Sequence, residues 1–518
     1  MKEVMKGGWA RLAMVLVVAC AACTLIIDRS TIQCTSDSDC ETFGSHPFCS
    51  SGVCVPSGLG PQACFFGTPQ GRQDFLNQCS AAECQAFDDC QRLGVCDGGA
   101  AADAALIAPP TVAPSSTSTS APPPASSDAA TPDASVLPSC ADPIQRPRVL
   151  NMTGSSYFPA LLGKLAPLLI ADGFTPVYQV SNSCTGVRSV LGALPSDHIM
   201  SDPPPGSTSP VATYFDATGA STPCSLGAGG ATVDVGESDI FSTTCAGFGP
   251  PGNGIFEYLG PVQSMVFVVP GSSNQKTISA VAAREVFGMG GNHGAAAPWT
   301  NPALYFVRNA NAGTQAMIAH AIGVPANAFW GVDQGSPTNI DLRMRIIEDP
   351  VEANQAIGIM ASDTFDKDRS NLHALGFKAS GQDCAYLPDS TESRTDKQNV
   401  RDGHYPIWGP LHFFTDVSGG DPVSPAAQAF IATVVVPKPP QQLVDAFIAS
   451  SLVPDCAMQV KRTTELGPLA AYSAPFQCTC YFERSVGGAA PGCTACKTAN
   501  DCNDPSRPSC NFGFCEAR

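Results

Sequence analysis

At 518 residues the chain is longer than one hydrophobic core usually supports, so two or more folded units are expected. Charged residues make up only 14% while Gly number 48 and Pro 46, a composition of loop-rich extracellular material with ordinary apolar content rather than wholesale disorder. The 28 basic against 45 acidic residues give a formal charge of -17; with no run of Lys/Arg, nucleic acid and anionic membrane surfaces are excluded as main partners, and any attraction for an anion has to be local.

In chain order the first element is "MKEVMKGGWARLAMVLVVACAAC", in which Lys2, Lys6 and Arg11 precede an apolar stretch and then small residues. It reads as an export signal, since the apolar run falls short of the ~20 residues a membrane span needs. It also resembles a bacterial lipoprotein signal, which makes residues 1–23 the signal and Cys23 the lipidated residue, with Cys20 the rival. Setting these two aside leaves an even number of the 24 cysteines, and an exported chain is expected to pair them as disulfides.

Residues 24–97 form a Cys-rich module whose first four cysteines, Cys34, Cys40, Cys49 and Cys54, recur in spacing near the other end of the chain as Cys496, Cys502, Cys510 and Cys515. Too few apolar residues lie between them for a core, so bridges must staple each unit. Four cysteines permit three pairings; the working expectation is first with third and second with fourth, Cys34–Cys49 with Cys40–Cys54 and Cys496–Cys510 with Cys502–Cys515. A zinc reading of "CTAC" at 493–496 is the weaker one, because the matching N-terminal repeat has no such pair and no histidine lies near. Residues 98–139 are rich in Ala, Pro, Ser and Thr without apolar periodicity, a semi-extended linker that would lift a domain from a surface.

From 140 to 480 the texture changes to apolar strands alternating with amphipathic helices, the α/β pattern. "RVLNMTG", "TPVYQVSN", "SMVFVVPG", "ALYFVRN" and "QAIGIMAS" read as strands. In "FPALLGKLAPLLIADG", Phe158, Leu161, Leu162, Leu165, Leu168 and Leu169 share a helix face, and Pro167 is expected to kink or close that helix. The last unit is the Cys-rich module 481–518.

Four strand ends carry small polar turns: Thr153-Gly154-Ser155-Ser156, Ser181 to Gly186, Glu237-Ser238-Asp239, and Arg308 to Thr314. Each is placed before a following helix. Taken singly, any of them is an ordinary helix cap. Several helix N-termini converging on one point would instead make an oxyanion site without net positive charge, to which Arg308 adds a bidentate fork. Asp239 would repel a fully ionised guest and accept a hydrogen bond from one that keeps a proton, favouring hydrogen phosphate over sulfate.

"VDVGESD", with "TGSSYFP", "SNSCTGV" and "RNANAGT" at the ends of the corresponding strands, resembles the phosphate-binding proteins of bacterial ABC importers, over roughly 146–440. "GPVQSMVFVVPG" and "YPIWGPLHFF" extend the likeness. The resemblance implies an α/β, two-lobed type 2 periplasmic-binding-protein fold with a ligand cleft between the lobes, flanked here by small disulfide-rich modules. It implies ligand contacts from Tyr157 and Phe158, Ser183, Asp239, Arg308, Gly313 and Thr314. The family usually places a hydroxyl residue where Tyr157 stands, so Ser155 or Ser156 would supply that group instead, and Ser238 stands beside Asp239 in the third turn. Ala310 replaces an acid common in that family and Ala312 a serine, removing a partner of Arg308 and one hydroxyl donor. An insertion between Val187 and Val233, with Cys224, separates the second and third turns.

The seven histidines form no HExxH and no metal-ligand spacing, no GxSxG elbow is present, and "GMGGN" at 288–292 is a lone Gly-rich turn. No enzyme, metal or cofactor is therefore expected. The reading is an exported, lipid-anchored solute-binding protein of the bacterial envelope, capturing phosphate or a related oxyanion for ABC importer membrane subunits. The alternatives are a surface lipoprotein using the same modules as a recognition scaffold without transport, and a secreted phosphate-ester hydrolase.

Overall fold

The computed structural model describes residues 48–50, 53–55, 64, 69, 71–80, 82–93, 137–204, 207, 209–252, 254–290, 296–487 and 492–517. The signal with Cys20 and Cys23, the side chains of the repeat Cys34 to Cys54, and most of the linker lie outside the described residues. The chain divides into two compact units, one of 1–66 with 78–81 and one of 67–77 with 82–518.

In the first unit, strands Phe48–Ser50 and Val53–Val55 pair antiparallel with Cys49 opposite Cys54. A disulfide joins Cys64 to Cys79.

The second unit is mixed α/β, built on a large central sheet of 12 strands. These are β1 (Val149–Gly154), β2 (Thr175–Val180), β3 (Ala212–Phe215), β4 (Ser221–Cys224), β5 (Val235–Ser238), β6 (Ile255–Pro270), β7 (Tyr305–Val307), β8 (Val332–Asp333), β9 (Ile357–Ala361), β10 (Leu372–Ala374), β11 (Trp408–Ser418) and β12 (Asp421–Pro422). The sheet order is β8-β7-β9-β6-β11-β5-β1-β2-β3-β4, with β10 on β6 and β12 on β11. Each of the five segments expected as strands contributes one of these.

The pairing directions divide this sheet into two lobes. β5, β1 and β2 run parallel on one side, and β9, β7 and β8 run parallel on the other. Between them lie the two longest strands, β6 and β11, antiparallel to each other and to their outer neighbours. Parallel neighbours demand crossover connections, which α1 (Phe158–Ala171) and α2 (Ser183–Leu191) supply in the first lobe, and α4 (Gly313–Ile322) and α5 (Pro337–Arg345) in the second; α3 (Ala280–Met289) and α6 (Ser362–Lys367) complete the second lobe's frame.

The first lobe buries Leu150 and Met152 of β1 against Phe158, Leu161, Leu162, Leu165 and Leu169 of α1, and against Leu411 and Phe413 of β11. Leu168 is only half-buried. Pro167 does not close α1, which continues to Ala171; Pro167 faces solvent while the opposite face stays packed. The insertion after α2 adds the β3–β4 hairpin to the sheet edge through β2, tied down by Cys140–Cys224.

Two pieces beyond the α/β alternation join this unit. Phe75, Leu76 and Phe87 enter the second lobe's core, Gln85 exchanges backbone hydrogen bonds with Ala385, and Cys84 is bonded to Cys384, 300 residues on. At the C-terminus, Cys496 pairs with Cys510 and Cys502 with Cys515, on a hairpin that sets Cys510 opposite Cys515. Glu516 anchors this module by accepting from the backbone N–H groups of Cys480 and Tyr481, at 2.6 and 3.2 Å, in α7 (Thr479–Ser485). The three sulfurs of Cys496, Cys502 and Cys515 lie close together, but the disulfides occupy them. Among the described residues, no helix is long and apolar enough to cross a membrane.

Candidate functional site

A strand that feeds a helix on the same side leaves its C-terminal end beside the helix N-terminus. Where parallel strands do this from both lobes, the polar turns face one another. Here the turns after β1, β2, β5 and β7 meet in a cavity with about 330 Å³ of unfilled space, lined by Ser155, Ser156, Tyr157, Asn182, Ser183, Asp239, Arg308, Ala312, Gly313, Thr314, Pro337, Ala361 and Asp363.

Three of these turns open α-helices of nine residues or more: α1, α2 and α4. Asn182 caps α2, its Oδ1 accepting from Thr185 N at 2.9 Å. The third turn differs from expectation. After β5 the chain enters a single 3-10 turn, Ser242–Thr244, so Asp239 caps no α-helix. Its Oδ2 accepts instead from the Ser183 hydroxyl at 3.1 Å, and Oδ1 is buried with no partner.

Ser183 Oγ also accepts from Gly313 N at 3.1 Å, and Cys184 N donates to Asn311 O at 3.2 Å; the two lobes touch at the site. This approach requires glycine at 313, where a Cβ would sit 2.5 Å from Ser183 Oγ and 2.7 Å from Asp239 Cβ.

Arg308, at the end of β7, is 5% exposed and its Nε has no hydrogen-bond partner. Ala310 offers it no acid, and among the described residues no carboxylate pairs with it at ion-pair distance. Burial pulls its pKa down, while Asp239 and Asp333 act the other way through space. Burial pushes the Asp239 carboxyl up against the opposing pull of Ser155, Ser183, Arg308 and His412. A buried guanidinium and a buried carboxylate, each with an open valence into one cavity, are costly to leave unmatched. An oxyanion carrying one proton satisfies both.

Two residues named from sequence lie away from the cavity. The Phe158 ring packs in the first lobe's core against Tyr178 and Phe413. Ser238 is buried, its hydroxyl closing a local turn with Ile240. Ser155, Ser156, Tyr157, Ser183, Asp239, Arg308, Gly313 and Thr314 are brought together; of these, Tyr157 spends its hydroxyl on Ser450 O at 2.8 Å.

Residues that sequence reasoning passed over support the turns. Glu237, fully buried, accepts from Ser155 N at 2.7 Å, Ser155 Oγ at 3.2 Å and Tyr178 OH at 3.0 Å. Burial, with Asp239 nearby, raises its pKa well above the usual carboxyl range. Glu465 holds the third turn from behind, Oε2 accepting from Phe241 N at 3.2 Å and Thr244 Oγ1 at 3.3 Å. Cys184–Cys245 staples the second turn to the end of the third. Asp363 lines the cavity from α6. The signal for Glu237 was its place in "VDVGESD"; Glu465 and Asp363 sit outside any strand-end turn read as polar.

No protein-family model matches the chain, and no curated protein matches it. Solved structures similar to it include a putative phosphate ABC transporter substrate-binding protein with bound phosphate from Clostridium perfringens, 11% identical over 59% of this chain and 99% of that one, with a TM-score of 0.39. A phosphate binding protein from Stenotrophomonas maltophilia is 15% identical over 59% and 90%, with a TM-score of 0.35. An OxyR mutant from Corynebacterium glutamicum is 11% identical over 58% and 65%, with a TM-score of 0.30.

Proposed function

We propose that this protein is a solute-binding protein that captures a small oxyanion, phosphate first, and hands it to ABC importer membrane subunits from a lipid anchor at Cys23 in the bacterial envelope. The observation that carries the reading is the pair of open valences, Arg308 Nε and Asp239 Oδ1, buried at one cavity where three helix N-termini meet. Helix N-termini and one guanidinium favour an anion locally, which answers the net charge of -17. The Ser156 and Thr314 hydroxyls with the free N–H groups at the helix N-termini donate; Asp239 accepts the proton that hydrogen phosphate keeps and sulfate lacks. Closure of the lobes about β6 and β11 completes capture.

The test is calorimetric titration of the mature chain with phosphate, sulfate and a panel of organic anions. Phosphate binding with discrimination against sulfate supports the reading. Absence of binding by every anion leaves the recognition-scaffold alternative, which the twin Cys-rich repeats favour.

A further inference from the structure

We propose that the second lobe carries a proton latch: one proton held between the carboxyls of Asp341 and Asp368 ties α5 to the end of α6, and its loss as pH rises loosens the stretch of cavity wall that these two helices carry.

Asp341 lies midway along α5, whose buried residues are Ile340, Asp341 and Met344. Ile340 and Met344 pack on Gly358 of β9; Asp341, 9% exposed, is the polar part of a short helix's anchorage. Asp368 closes α6 and holds the turn into β10, its carbonyl accepting from Asn371 N and Leu372 N at 3.0 and 3.1 Å. The two carboxyls lie within hydrogen-bonding reach of each other. Asp341 Oδ2 meets Arg345 at 3.3 Å, and Asp368 Oδ1 accepts from the Asn371 side-chain amide. Asp341 Oδ1 and Asp368 Oδ2, by contrast, are buried with no donor. Ionised carboxylates only accept, and two of them sharing one buried place do not both stay charged. A proton on one of them supplies the missing donor. A divalent cation such as calcium would need six or more oxygens, and among the described residues no third acid or histidine completes such a set around the pair.

The other charges on the elements packed around α5 are engaged elsewhere. On α6, Lys367 pairs with Asp363, and Asp366 with Arg369 and Lys397. On β10, His373 pairs with Glu392; on β6, Glu257 lies 2.8 Å from His412. Arg345 pulls on Asp341 from a side chain 39% exposed, so solvent weakens it. Burial first, and then the Asp368 carboxyl, push Asp341 up to about 6 against that pull. A carboxyl raised in this way holds its proton more tightly folded than unfolded, so the latch is fullest below the ordinary aspartate value and is lost as pH rises through about 6. Pro337 at the start of α5 and Asp363 in α6 both line the cavity, so the latched helices share in its wall.

The test is hydrogen–deuterium exchange of the ligand-free mature chain, read on peptides covering α5 at about pH 5 and about pH 8 and corrected for intrinsic chemical rates, for wild type, D341N, D368N and D341A. In wild type the protection of α5 is expected to fall at least about tenfold between the two conditions, with α1 of the first lobe as the internal reference. D341N and D368N each replace the shared proton by an amide N–H that donates at every pH, so both should keep α5 protected at the alkaline end. D341A leaves Asp368 Oδ2 without a donor, and its α5 should be poorly protected at both. Wild-type α5 protection that does not change with pH relative to α1 overturns the latch, as do D341N and D368N profiles as steep as wild type. If calcium chloride restores α5 protection to wild type at the alkaline end and does nothing in either asparagine variant, the pair holds a cation and the proton latch is overturned; indifference to calcium supports it.

Discussion

On the proposed oxyanion reading, Asp239 and Arg308 divide the work of recognition by charge state. Asn at 239 keeps the size but turns an obligatory acceptor into a group that also donates, so Asp239→Asn is expected to raise sulfate binding relative to phosphate; an unchanged ratio in competition calorimetry would remove Asp239 from recognition. Arg308→Ala should cost each anion about 3 kcal/mol or more, since charge-assisted hydrogen bonds contribute ~1.5–3 kcal/mol apiece. Glu465 is a stability residue with a pH signature. Burial, opposed by Arg462, pushes its carboxyl up to about 7 from an ordinary 4.5. A carboxyl raised in the folded state binds more protons folded than unfolded, so its contribution is fullest below about pH 4.5 and is lost as pH rises through about 7. Glu465→Gln should flatten that fall, which is on the order of 3 kcal/mol, in urea melts at pH 5 and pH 8; a mutant as steep as wild type would place the titration elsewhere.

Among elements, α2 is fixed at both its cap and its disulfide. Cys184–Cys245 closes a loop of 61 residues, for which chain-entropy reasoning gives about 4 kcal/mol. Replacing both cysteines by serine should lower stability by about that amount and loosen the second and third turns together, read as a shift in urea midpoint with weaker anion binding. The strands and α1 were legible because period and burial coincide: "RVLNM" alternates into a two-sided core and the α1 leucines keep one face. Pro167 does not end α1, because the packed face opposite it carries the helix past a residue that a local rule reads as a stop. The site turns were legible as polar strand ends, yet sequence could not separate Ser183, whose hydroxyl bridges both lobes, from Ser238, whose hydroxyl bonds only to Ile240. Glu465 was illegible for a simpler reason: it lies 226 positions after Asp239, and only the fold brings it behind that turn.

At the scale of the molecule, the lobes communicate where Ser183 meets Gly313. A side chain at 313 has no room between them, so Gly313→Val should wedge the cleft, weaken anion binding about tenfold or more, and leave the thermal midpoint of the ligand-free protein nearly unchanged. Small-angle scattering of this variant that still shows ligand-induced compaction would exclude the wedge. Saturating phosphate at 100 times its dissociation constant should stabilise the wild type by about 2.7 kcal/mol.

Cys84–Cys384 also changes what the Pro/Ser/Thr segment can be. The chain enters that segment from residues 82–93, packed on the α/β unit and bonded to it, and leaves it at residues 137–140, bonded to the same unit through Cys140–Cys224. Both ends are moored on one body, so the residues between them are enclosed in a covalent ring. A protease nick between 98 and 136 would therefore shed nothing. The product would migrate as a single species until reductant opens the ring, and then as two.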